Sequence, residues 1–163
     1  MMKQSTIYKL TLLLNEDKEF RSYEGIRVTF EANPGSYPSD IKSISKLKIP
    51  SDYSDLLAQH NGFTLYKYED LGGLQFLGSD KIKAETQLQK ETYEDEWDDR
   101  IIVICNVIAD GDFIGLKIYE NGGYELLDCY HDEEPQKWKV ITDSLDDFLI
   151  KLIDSKGERY WLN

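Results

Sequence analysis

Six consecutive residues, Glu94, Asp95, Glu96, Trp97, Asp98 and Asp99, set five carboxylates around one indole. Such a run is open to two kinds of chemistry. Carboxylates can exchange protons or hold a cation, and they can steer a basic partner toward an aromatic ring that anchors it. A second run, Asp132-Glu133-Glu134 ahead of Trp138, has the same character. For both, a solvated loop with no further role is the plain alternative. These residues form the candidate partner-binding set, and sequence does not say whether the two runs meet in space.

The remaining reactive side chains do not complete a catalytic set. His131 lies in Cys129-Tyr130-His131-Asp132-Glu133-Glu134, which offers metal ligands. No second histidine and no cysteine at zinc spacing stands nearby, so no metal and no other cofactor is expected. Asp110-Gly111-Asp112 has the look of a calcium loop but lacks the closing glutamate, and a tight turn is the better reading. The other histidine, His60, reads as a partly buried structural residue. The nucleophile elbow, the phosphate loop and the dinucleotide fingerprint are all missing from the sequence. Enzyme activity is not expected, and the outlying reading is a metal-dependent enzyme using His131.

Composition points the same way. The chain has 163 residues, 31% of them charged, with a formal net charge of −12. That acidity disfavours phosphate backbones and anionic lipid, so neither nucleic acid nor a membrane surface is an expected partner. A basic protein partner is favoured, although acidity also serves solubility alone. Cys105 and Cys129 show neither a disulfide framework nor a metal pair, which fits a reducing compartment. The apolar stretch Ile7–Leu14 lacks a cleavage site, and no run approaches the ~20 apolar residues of a membrane helix. The cytoplasm is the expected location. The oligomeric state is not legible.

The elements that must position these residues follow from periodicity. Residues 5–14 read as a helix, Ile26–Phe30 as a strand, and Tyr37–Leu47 as a short helical stretch. Pro50-Ser51-Asp52 starts a helix whose Tyr53, Leu56, Leu57 and His60 share one face, closed by Asn61-Gly62. Phe63–Tyr66 and Gln75–Leu77 read as strands around a turn at Leu71–Leu74, and Ser79-Asp80 caps a helix running to about Tyr93. Ile101–Ile108 is apolar almost throughout, as a central strand buried on both faces would be. Turns at Asp110-Gly111-Asp112 and Asn121-Gly122-Gly123 make the strands that follow an antiparallel meander. Ser144 and Asp147 resemble a capping box before the stripe Leu145, Phe148, Leu149, Leu152 and Ile153, which Gly157 stops. The fold class is α+β: a mostly antiparallel, mixed sheet with helices packed against it, in one domain over residues 1–163.

The segment Ile49-Pro50-Ser51-Asp52-Tyr53-Ser54-Asp55-Leu56-Leu57-Ala58-Gln59-His60-Asn61-Gly62 resembles the LP-x-x-[YF]…L…NG signature of the SUKH superfamily. That group includes fungal cell-wall synthesis regulators and many bacterial immunity proteins. Gly25–Phe30, Gly73–Leu77, Asp110–Phe113 and Ser144–Leu149 resemble other family segments in the expected order, from about residue 20 to 154. The acidic segment 94–99 is not carried over from the family. The resemblance implies an α+β fold and a non-enzymatic role. It also implies an immunity protein that neutralises a cognate polymorphic toxin, often a nuclease. The alternative it leaves open is an intracellular scaffold or regulator of the same fold, with no toxin partner.

Overall fold

The computed structural model describes residues 1–15 and 20–162. In chain order the elements are α1 (Gln4–Leu14), β1 (Phe20–Arg21), β2 (Arg27–Ala32), α2 (Pro38–Ser43), α3 (Ser51–Gln59), β3 (Phe63–Tyr68), β4 (Gly72–Phe76) and α4 (Ser79–Tyr93). They continue with β5 (Ile101–Val107), β6 (Phe113–Ile118), β7 (Tyr124–Cys129), β8 (Lys139–Thr142) and α5 (Leu145–Asp154). One-turn 3-10 segments lie at Ser45–Leu47, Glu94–Glu96, Pro135–Lys137 and Tyr160–Leu162. The strands form one sheet in the order β1 to β8, and every neighbouring pair is antiparallel. The chain is thus an α+β fold as expected, with no parallel pairing among the described residues.

β5 is the interior strand its apolar run implied: Ile101 to Cys105 are each at most 4% exposed. Its register shows how the two faces of the sheet are used. Phe76, Cys105 and Ile114 lie opposite one another, so they share a face. Phe148 of α5 meets Phe76 on that face, with ring centres 6.3 Å apart. α3 packs there too, and the Tyr53 hydroxyl donates to the Leu77 carbonyl at 2.7 Å. Phe113, next to Ile114, points to the other face by the alternation of a strand. Trp97 and Trp138 cover it there, with centroids 6.5 and 5.4 Å from the Phe113 ring.

The helices follow their side-chain pattern. Leu145, Phe148, Leu149 and Leu152 are fully buried, and the Ser144 hydroxyl accepts from the Asp147 N–H at 3.1 Å, satisfying one orphan donor of the first turn. Tyr53, Leu56 and Leu57 are each 1% exposed. Several boundaries differ from the sequence reading, and three bear on how α3 and α4 are joined. α3 ends at Gln59, so His60 leaves the helical face and takes an extended backbone, half-buried against Phe63. The β3–β4 turn falls at 69–71, and Gly72 and Gly73 already belong to β4. The third difference is the cap of α4, which is Gly78 and not Ser79.

That cap explains why Asn61-Gly62 stands where it does. A Cβ at Gly78 would lie 2.5 Å from the Asn61 carbonyl oxygen, so no side chain of its own fits there. Asn61 supplies the missing cap from a distance. Its Oδ1 accepts from the Ser79 N–H at 2.8 Å and its Nδ2 donates to the Ser79 hydroxyl at 3.1 Å. Gly62, at φ +95, then turns the chain into β3. The end of α3 is thereby clamped to the start of α4.

Candidate functional site

α4 delivers the acidic run. Its C-cap is Glu94, held at φ 52 and ψ −123, a conformation natural only to glycine. The single turn Glu94–Glu96 follows, and the chain then sends Trp97 inward, where it is 9% exposed. The Trp97 ring lies 6.3 Å from Tyr93 and 6.0 Å from Trp138. Trp138 is 8% exposed, and its Nε1–H donates to the Tyr130 carbonyl at 3.0 Å. Both indoles expected to stand as anchors therefore lie beneath the acidic surface, covering Phe113. A tryptophan flanked by carboxylates gives no sign in sequence that it will serve as apolar cover for a ring on the sheet.

The two runs do meet. Gln136 Nε2 donates to the Glu96 carbonyl at 3.4 Å, and the Tyr93 hydroxyl donates to the His131 carbonyl at 3.4 Å. Glu94, Asp95, Glu96, Asp99, Asp132 and Glu134 are exposed, while Asp98 and Glu133 are half-buried. Their charges are not equivalent. Asp98 is gripped by Arg100 through Nη2 at 2.8 Å and Nε at 3.1 Å, with Lys117 at 3.5 Å. Hydrogen bonding to Arg100 overcomes partial burial and pushes the Asp98 carboxyl down to about 2. Asp99 pairs with Lys90 at 2.7 Å, and Glu133 and Glu134 share Lys137. Among the described residues no lysine or arginine bridges Glu94, Asp95, Glu96 or Asp132. The surface can hold a cationic side chain. Asp98 itself is held as an anion by Arg100.

A second set of carboxylates is put to a different use. Asp112 is 4% exposed in the turn between β5 and β6, where Gly111 takes φ +85. Its Oδ1 accepts from the His131 N–H at 3.0 Å and lies 2.6 Å from His131 Nδ1. Arg159, from the tail after α5, donates to Asp112 at 2.9 Å and to Asp110 at 2.7 Å, with Asp128 at 3.6 Å. Burial opposes charge on Asp112, but these donors prevail and hold its carboxyl below the usual range. Asp128 goes the other way, raised by burial against the pull of Arg159. The hydrogen bond to Asp112 raises His131 above the ordinary histidine value.

Asp110, Asp112 and His131 do place one ligand atom each within 4.8 Å of one another. Two of those three residues are already bonded to the Arg159 guanidinium, which supplies the positive charge an ion would bring. Sequence reasoning missed Arg159 because nothing beside it in Gly157-Glu158-Arg159-Tyr160 hints at a partner some fifty residues upstream. Neither cysteine is a nucleophile in waiting. Cys105 and Cys129 are fully buried, and burial pushes both thiols well up.

The comparisons agree with this architecture. The sequence model described as SMI1 / KNR4 family (SUKH-1) matches residues 39–151, from the start of α2 to the middle of α5. None of the curated proteins matches the chain.

Proposed function

The chain belongs to the SMI1 / KNR4 family (SUKH-1), and from that premise we propose that it is an immunity protein. It blocks a cognate toxin domain by binding it and performs no reaction of its own. The toxin is a basic protein, with nucleases the leading class, and the encounter takes place in the cytoplasm. The observation that carries this reading is the single acidic surface built from residues 94–99 and 132–134, with Glu94, Asp95, Glu96 and Asp132 free of lysine or arginine bridges among the described residues. Carboxylates without a lysine or arginine partner raise encounter rates with a cationic surface, although Asp132 also lies 3.4 Å from His131 Nε2, and Trp97 and Trp138 pack beneath the run. The formal net charge of −12 adds a field of the same sign.

The test is binding of the product of the neighbouring gene, followed across a salt series, together with survival of cells expressing that product. Tight, salt-sensitive binding with protection supports immunity. A product that neither binds nor harms unprotected cells ends the toxin pairing, and a scaffolding or regulatory role within the same family takes its place.

A further inference from the structure

The sequence holds one dipeptide twice, Asn61-Gly62 and Asn121-Gly122. Asparagine before glycine is open to attack on its own side-chain amide by the next backbone nitrogen, because glycine puts no Cβ in the way. The attack needs an amide free to swing and a nitrogen that solvent base can reach. At Asn61 neither condition holds. Both of its amide atoms are bonded to Ser79, and its carbonyl accepts from Asn33 Nδ2 at 3.0 Å. A Cβ at Gly62 would lie 3.0 Å from the Gly78 nitrogen, so the approach is walled in.

Asn121 and Gly122 lie exposed at the tip of the β6–β7 hairpin, with nothing within 4 Å of where a Gly122 Cβ would stand. The Asn121 Oδ1 accepts from the Gly123 N–H at 2.9 Å, which draws electrons from the carbon that would be attacked. Its Nδ2, the leaving group, makes no hydrogen bond among the described residues. Two bonds restrain the reaction, the one from the Gly123 N–H to the Asn121 amide and the one from the Gly122 N–H to the Tyr119 carbonyl at 2.9 Å, and both lie at an exposed tip with open space around Gly122.

We propose that Asn121 is a site of spontaneous deamidation and that the fold protects Asn61. The Gly122 nitrogen gives its proton to solvent base and bonds to the Asn121 side-chain carbonyl carbon. The carbon–Nδ2 bond breaks, and ammonia leaves with a proton from water. Water then opens one of the two imide carbon–nitrogen bonds of the succinimide, giving aspartate or isoaspartate. One water is consumed and one ammonia released, with no change of oxidation state. The product adds one negative charge to the formal −12, two residues from Tyr119, whose ring lies 5.4 Å from Arg100 and 5.8 Å from Lys117. The isoaspartate form also lengthens the hairpin backbone by one methylene.

The full-length protein is incubated in mildly alkaline buffer, with and without denaturant, and its peptides are mapped by mass and by isoaspartyl methylation. In the folded protein the 121 peptide converts about tenfold or more faster than the 61 peptide, the margin expected when Asn61 must first break its bonds to Ser79. In denaturant the two rates converge. Equal rates in the folded protein, or a 121 peptide unchanged when its denatured counterpart has converted, would overturn the proposal.

Discussion

Glu94, Asp95 and Glu96 face solvent without a lysine or arginine bridge, whereas Asp112 is 4% exposed and is held by His131 and Arg159. The first group lies between α4 and β5 and the second between β5 and β6, and in sequence each is a short acidic stretch. The difference is what each carboxylate is given. Asp112 receives a backbone N–H, an imidazole and a guanidinium, and it ties three segments together. Glu94, Asp95 and Glu96 form an exposed ridge without a lysine or arginine partner among the described residues, and their charge remains available to a partner. Acidity alone therefore says little about use. The supply of donors does.

The sharpest way to break the comparison is to remove what lies beneath the ridge. Trp97→Ala empties a site packed by Tyr93, Phe113 and Trp138, and should cost roughly 3–5 kcal/mol in urea unfolding. A loss below about 1 kcal/mol would mean that the indole is not the floor of the ridge. Next in size is Arg159→Ala, which strands a buried carboxylate and should cost about 3 kcal/mol. Adding Asp112→Asn to it should recover part of that loss, since the uncompensated charge disappears.

The hub of Asp112, His131 and Arg159 should also respond to pH. His131 has a raised value in the folded state, so its contribution is complete below the ordinary histidine range and fades as pH rises through the folded value. Stability measured from mildly acidic to mildly alkaline pH should therefore decline, and His131→Asn should flatten that slope. An unchanged slope would remove His131 from the hub.

Two smaller effects concern the ridge itself. Glu94→Gly relieves a backbone conformation that disfavours side chains, and should stabilise the protein by about 1 kcal/mol while removing one carboxylate. Asp95→Lys should leave stability within about 0.5 kcal/mol. In binding to the neighbouring gene's product it should slow association and weaken the salt dependence. Unchanged association would make the ridge an ordinary solvated loop. Asp98 is a poorer probe, because its carboxylate is already spent on Arg100.

Much of the scaffold could be read from local pattern. α5 combines a serine cap with apolar residues at helical spacing, and β5 is apolar without alternation; both signals lie within a few residues of what they specify. The hairpin turns at Gly111 and Gly122 were legible because a positive φ selects glycine. The acidic residues of the site were found by composition, but their underside was not. Trp97 lies among carboxylates in sequence and among aromatic rings in space, and only the long-range geometry of Phe113 and Trp138 separates those descriptions. Arg159 and the two-pronged reach of Asn61 to Ser79 were hidden for the same reason: each acts on a partner distant in the chain.

The strictly sequential strand order has a consequence for how the sheet is assembled. Because each strand pairs with its predecessor, no strand has to be inserted between two that are already joined. During synthesis the sheet extends at one border only, and each newly emerged strand covers the backbone groups its predecessor left open. β8 is the last to arrive, four residues long and irregular in its register with β7. A short, irregular final strand is a poor template for another chain, so extension stops within the molecule.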